Sequence, residues 1–287
     1  MTNRDADQNP LRQSLITCAL AVCAYLFTTH RIDETICWTL VMALFASITI
    51  GDSRKLLGFC WIIVSIGFAI GILQRPLDVP NHHWMMTYLS AAIALALLFN
   101  QDTDDVTQEL SESIRWLIVV LMGFATLQKL LSTNFMDSSY IAFEVARGGF
   151  AAPVLKFIPA IYEPIQENIE LVNNLHATPP GELGSVILNW PIPGFKAIAY
   201  GFTFSILAME AWLFLGMLCW PKKYITHISL IAFATTLAVL RQEFTFISIV
   251  CSLGLLSCGA ELRYCRYAYV TLAIVTAAGV LKTLNYG

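Results

Sequence analysis

Long apolar runs separated by short polar ones make up most of the chain. They occupy 14–29, 36–50, 56–73, 84–99, 114–131, 197–220, 224–240, 244–259 and 267–284. A helix needs about 20 predominantly apolar residues to cross the hydrocarbon core, and only helices and closed barrels satisfy every backbone group there. The pattern predicts an all-α polytopic membrane helix bundle of 8–9 transmembrane helices, with the second and eighth runs short. Only Arg241, Gln242 and Glu243 separate the runs at 224–240 and 244–259. That pair reads as a tight hairpin or as one span with a broken partner.

No small-residue cleavage site closes the first run, so it reads as a retained span behind a cytoplasmic N-terminal tail, 1–13. Residues 14–287 then form a single transmembrane domain with one long extracytoplasmic insertion, 132–195. Within the insertion Ile158, Ile161, Ile165, Ile169 and Val172 recur at helical spacing opposite Glu163, Glu167 and Glu170. This predicts an amphipathic outer segment that lies on the membrane or caps a cavity. Pro179, Pro180, Pro191 and Pro193 break the chain after it. The acidic stretch 100–113, with Asp102, Asp104, Asp105, Glu109 and Glu112, reads as a solvated inner connector.

Loop Lys and Arg set the orientation, because positive charges near helix ends stay on the cytoplasmic side. With nine spans and the N-terminus inside, Arg4, Arg12, Arg54, Lys55, Arg115, Lys222, Lys223, Arg263 and Arg266 are inner. Arg31, Arg75, Arg147, Lys156 and Lys196 are outer, with Lys129, Arg241 and Lys282 near outer helix ends. The expected location is the cell membrane, as a multi-pass protein of a bacterial inner membrane.

Composition agrees: the chain is 57% hydrophobic and 13% charged, against roughly a quarter charged in soluble proteins. That leaves no length for a large soluble domain. The net charge of −3 excludes a basic nucleic-acid surface. The lipid bilayer is the first expected partner, with a peptide or membrane-protein partner at 132–195. All eight cysteines fall in apolar runs or at their inner ends, none in the insertion, and they read as small packing residues. No metal site is expected.

Ionisable groups inside apolar runs are costly and mark functional sites. Lys129 ends the fifth run and is either a desolvated general base or a lysine snorkelling to the interface. His82 and His83 open the fourth run beside Trp84. Arg241 and Glu243 are placed to form an ion pair closing the hairpin, and Glu210 sits mid-run in Ala208-Met-Glu-Ala-Trp212, where it must pair or line a polar cavity. His227, beside Lys222 and Lys223, reads as an interfacial residue. Lys129, His82, His83, Arg241 and Glu243 all map to the outer half in this topology. Tyr140 and Glu144 from the insertion are candidates to line the mouth of an outward-opening pocket.

The fourth and fifth runs resemble the membrane domain of vitamin K-dependent gamma-carboxylases and their bacterial relatives, the horizontally transferred transmembrane domain proteins. The likeness rests on Asn81-His-His-Trp-Met-Met-Thr-Tyr-Leu89 and on Phe124-Ala-Thr-Leu-Gln-Lys-Leu130, followed by Asn134 and Phe135. It covers about 81–140. The resemblance implies a carboxylase-like lyase in which Lys129 is the base that deprotonates a reduced quinone, a vitamin K-like cofactor, and His83 stabilises charge at the substrate. His82, Glu210, Arg241, Glu243, Tyr140 and Glu144 would then bind substrate or cofactor. Such carboxylases carry a large extracytoplasmic domain after the helices, which binds the propeptide substrate, whereas this sequence ends at Gly287 without one, a departure that counts against a complete glutamate carboxylase. Two other readings stand beside it: a non-enzymatic maturation or immunity subunit that binds a peptide or protein through 132–195, and a quinone-linked redox subunit of the DoxX or MauE type.

Overall fold

The structure, a computed structural model, describes residues 3–28, 34–49, 53–74, 81–177, 187–190 and 194–284. Every element among them is helical. In chain order they are α1 Asn3–Thr28, α2 Glu34–Thr49, α3 Arg54–Gln74, α4 Asn81–Phe99, α5 Thr103–Leu131, α6 Thr133–Met136 and α7 Ser139–Ala146. Then follow α8 Ala152–Leu155, α9 Pro159–Ala177, α10 Phe195–Cys219, α11 Tyr224–Leu240, α12 Phe244–Ser257, a 3-10 turn at Ala260–Leu262 and α13 Arg263–Leu284. Pro179, Pro180, Pro191, Pro193, Arg31 and Arg75 lie outside the described residues.

Each of the nine apolar runs coincides with the body of a helix, α1–α5 and α10–α13. Among the described residues four helices, α3, His82–Phe99 of α4, α5 and α10, are long and apolar enough to cross a membrane. Shorter apolar helices cover Pro10–Leu26, Ile36–Ala46, Tyr224–Leu240 and Phe244–Ser257. Length and composition therefore support crossing for four helices, fewer than the eight or nine expected.

Two sequence boundaries change. The acidic stretch 100–113 is no loop from Thr103 onward but the opening of α5: Val106, Leu110 and Ile114, spaced by four, are fully buried, and this buried stripe holds the turn helical. Asp104 and Asp105 in the first turn also suit the positive end of the helix dipole. Likewise α1 opens at Asn3, so most of the expected N-terminal tail is helix.

The chain divides into two compact units. The first holds 1–120, 215–234 and 244–287; the second holds 121–214 and 235–243. In the first, Trp61, Val64 and Phe68 of α3 and Met86, Leu89 and Ile93 of α4 are buried, and the Ser65 hydroxyl donates to the Thr87 carbonyl at 3.1 Å. Residues 247–257 of α12 are buried on every face, as expected of a helix apolar all round. At 14 residues it is about 21 Å long, which suits an internal helix. Gly254 lets α13 approach, for a Cβ there would collide with the Tyr269 ring.

The second unit folds the insertion onto its own core. Phe135, Ile141, Val145, Phe150, Ile165 and Phe195 are its buried centre. The amphipathic helix is α9; it buries Ile165 and half-buries Ile161 and Ile169, while Glu163, Glu167 and Glu170 do not enter the core. Its apolar stripe is thus largely occupied by protein.

Candidate functional site

Lys129 lies in the last turn of α5 and Glu210 two-thirds along α10, both in the second unit. The Lys129 ammonium donates to both carboxylate oxygens of Glu210 at 2.7 Å. The Glu210 side chain is 8% exposed and that of Lys129 25%. Each residue answers the other's desolvation, since neither helix offers a second charged partner at this depth. The lysine Nζ also stands 5.6 Å from the centroid of the Phe135 ring, which favours the cation. Phe135 is placed by the turn after α5, where the Ser132 hydroxyl accepts from its N–H and caps α6.

Phe135 leads on to a second cluster through its ring contact with Tyr140, 6.2 Å between centroids. Tyr140 hydrogen-bonds Arg241. Arg241 closes the turn between α11 and α12, with Nε 3.0 Å from Glu243 Oε1 and its Nη2 3.8 Å from Glu144 Oε2. Arg147 binds Glu144 Oε1 through Nε at 2.9 Å and Nη2 at 2.6 Å. The loop after α7 closes on the helix's last turn: the N–H groups of Gly149 and Phe150 donate to the Glu144 main-chain carbonyl, Gly148 takes φ +76°, and the Ala151 N–H donates to the Leu240 carbonyl at 2.7 Å. At Gly148 a Cβ would also come 2.5 Å from Ile169 Cδ1, so glycine alone fits. Nearby, the Ser139 hydroxyl and N–H hold the exposed Asp137 carboxyl below its usual range.

Six expected site residues therefore meet within one unit: Lys129, Glu210, Tyr140, Glu144, Arg241 and Glu243. His82 and His83 belong to the other. His83 is 1% exposed, with Nδ1 hydrogen-bonded to the Tyr25 hydroxyl of α1 and its ring edge-on to Tyr25 and Phe68. His82 is half-buried against Tyr25 and Phe246. His83 thus ties α4 to α1 by a buried polar contact. His227, expected at an interface, is fully buried instead. Its Nε2 is 2.9 Å from the Pro221 carbonyl, which can only accept, so Nε2 carries the proton, and the one Tyr269 hydroxyl proton is shared between Nδ1 at 3.1 Å and the His227 main-chain carbonyl at 3.2 Å.

Among the described residues no three His, Cys, Asp or Glu side chains gather into a metal-ligand set. No protein-family model, curated protein or solved structure matches the chain. Its chemistry must be argued from these side chains.

Sequence reasoning missed three partners: Tyr25 for His83, Arg147 for Glu144, and Asn168, whose fully buried amide donates to the carbonyls of Ala146 and Asn189 at 2.9 and 2.7 Å and accepts from the Asn189 N–H at 2.8 Å. The Lys129–Glu210 pairing had a signal. Opposite lone charges stand in the two apolar runs that flank the insertion, and each needs a counter-charge.

Proposed function

We propose that the chain is a multi-pass membrane protein whose second unit carries a proton-handling site for a lipid-soluble quinol, in a carboxylase-like membrane enzyme. The observation that carries this reading is the Lys129–Glu210 ion pair on two helices each long and apolar enough to cross a bilayer. The nine-span arrangement with the N-terminus inside is part of the proposal, and it sets the pair toward the outer half. The residues fit such a group. Phe124 and Leu127 of α5 are well exposed, giving an apolar approach from lipid, the buried Phe135 ring backs the lysine, and the exposed Tyr140 lies against Phe135.

A reduced quinone, when bound, supplies an ionisable phenolic hydroxyl and two electrons. The base is then the pair and not a lone amine. With Lys129 present as the ammonium that donates to both Glu210 oxygens, the carboxylate is the member of the pair with free lone pairs and would be the one to take up a proton. The Lys129 ammonium would stay in place beside Glu210, where it could offset negative charge on a bound group. Tyr140, Arg241, Glu144 and Glu243 act as the adjoining polar wall that orients a substrate. His83 packs in the other unit, and its part in this reading is to hold α4 against α1.

The test is quinol-dependent turnover, and recovery of a co-purifying quinone, in wild type, Lys129→Ala and Glu210→Gln. Loss of both signals in the two variants supports the reading. Equal turnover and equal occupancy in all three proteins ends it.

A second reading rests on Phe157, 78% exposed, and on Ile187 and Trp190, 86% and 60% exposed, all in the insertion. Apolar side chains left open there suit a subunit that binds a peptide or membrane protein. A stoichiometric partner that leaves with Phe157→Glu and Trp190→Ala, while turnover is absent from wild type, would favour it.

A further inference from the structure

In the first unit, α1 and α13 run side by side and leave between them a groove of about 1180 Å³, slightly beyond the range of roughly 300–1,000 Å³ that holds drug-sized ligands. Its two ends differ in chemistry. Arg12, in the third turn of α1, and Arg263 and Arg266, in the first turn of α13, line one end, and no acidic side chain among the described residues lines the cavity. The remainder is apolar or small, with Leu20 and Ile274 forming an open rim, 49% and 58% exposed. Ala24 and Ala277 keep the far end open because their side chains are short.

The arginines lack an acidic counter-charge among the described residues. Arg266 is spent on neutral acceptors: its Nη1 donates to the carbonyls of Leu255 and Cys258, and its Nη2 to the Pro10 carbonyl and the Ser14 hydroxyl at 2.9 and 3.0 Å. Those bonds fix its place and involve no carboxylate among the described residues. Arg263 donates to the neighbouring Tyr264 hydroxyl, and Arg12 is exposed. From Arg12 to Ala24 is twelve residues, about 18 Å of helix, close to half of a roughly 30 Å hydrocarbon core. A positive end followed by an apolar trench one leaflet deep is complementary to a single molecular class.

We propose that the α1–α13 groove binds an anionic phospholipid of the bilayer, with its phosphate held by Arg12 and Arg263 beside the positive charge of Arg266 and an acyl chain lying along Leu20, Val270 and Ile274. The site is independent of the Lys129–Glu210 chemistry. Clustered arginines at the end of membrane helices draw anionic headgroups at about 1 kcal/mol each, roughly fivefold in affinity.

The full-length protein is tested in nanodiscs with photoreactive phosphatidylglycerol or photoreactive phosphatidylcholine, and labelled residues are mapped by mass spectrometry. Labelling of α1 and α13 is expected to favour phosphatidylglycerol at least fivefold. Arg12→Gln/Arg263→Gln, which spares the buried bonds of Arg266, should abolish that preference while the protein keeps its unfolding temperature in phosphatidylcholine. Ala277→Leu, which fills the trench, should lower labelling by either lipid. Inorganic phosphate added to the detergent-solubilised protein should not raise its unfolding temperature. Equal labelling by the two lipids, an unchanged preference in the double variant, or stabilisation by free phosphate equal to that by phosphatidylglycerol would each overturn the proposal.

Discussion

A carboxylate two-thirds along α10 and a lysine in the last turn of α5 would each be expensive to desolvate alone, and the 2.7 Å contacts between them offset part of that cost. Removing one partner leaves the other charge unmatched. For Lys129→Met or Glu210→Leu we expect a loss of roughly 2–4 kcal/mol in stability, a little under the roughly 3–5 kcal/mol for a fully buried pair because the Lys129 side chain is 25% exposed. Lys129→Met/Glu210→Leu should lose less than either, because an apolar pair of similar volume carries no stranded charge. Thermal unfolding in one detergent measures all three; additive losses would show that the two residues are not coupled. In that double variant quinol-dependent turnover should still be absent, which separates the chemistry from the fold. Asn168 is the neutral counterpart. Its three hydrogen bonds pin 189 and the end of α7 to α9, so Asn168→Leu, stranding their backbone partners, should cost about 2–3 kcal/mol. Limited proteolysis should then open the insertion before the rest of the chain; an unchanged cleavage pattern would rule out that pinning role.

At the scale of elements, α12 and α13 meet where Gly254 faces the Tyr269 ring, and Tyr269 in turn holds His227 of α11. Gly254→Val should push Tyr269 off its bond and cost about 1–3 kcal/mol as overpacking, while Tyr269→Phe, losing only the hydroxyl, should cost about 1 kcal/mol. If the valine variant unfolded no earlier than the phenylalanine variant, close packing at this glycine would not be the constraint. The helices themselves were legible because long apolar runs leave few other conformations, and α9 was legible because its isoleucines keep a helical period. The start of α5 was hidden by its acids, which mask the buried stripe of Val106 and Leu110. Helices α6–α8 were hidden too, since four to eight residues carry no readable period. Pairings such as Lys129 with Glu210, 81 positions apart, and Tyr25 with His83, 58 apart, depend on how helices pack, and periodicity says nothing about that. The candidate site was therefore legible as residue types, while the separation of His83 from Lys129 into different units was not.

For the whole molecule the deciding quantity is which helices cross the bilayer, and α10 is the best place to ask. Its 25 residues extend about 38 Å, more than the roughly 30 Å of hydrocarbon, so its two ends must emerge on opposite sides if it crosses. Lys196 is exposed in its first turn and Cys219 is exposed at its last residue. In a background lacking all other cysteines, a membrane-impermeant maleimide should label Lys196→Cys in intact cells and Cys219 only in inverted vesicles. This is the pattern required by Lys222 and Lys223 lying just beyond Cys219, since clustered lysines resist translocation. Labelling of both positions from one side would mean that α10 does not cross, and the Lys129–Glu210 pair would lose its membrane setting. The reverse pattern would keep the crossing but invert the orientation, moving the pair, the insertion and any quinol chemistry to the cytoplasmic half. Because Arg115, twelve residues into α5, donates to the Met217 and Leu218 carbonyls, the result for α10 also fixes the side on which Arg115 lies and toward which the first half of α5 extends.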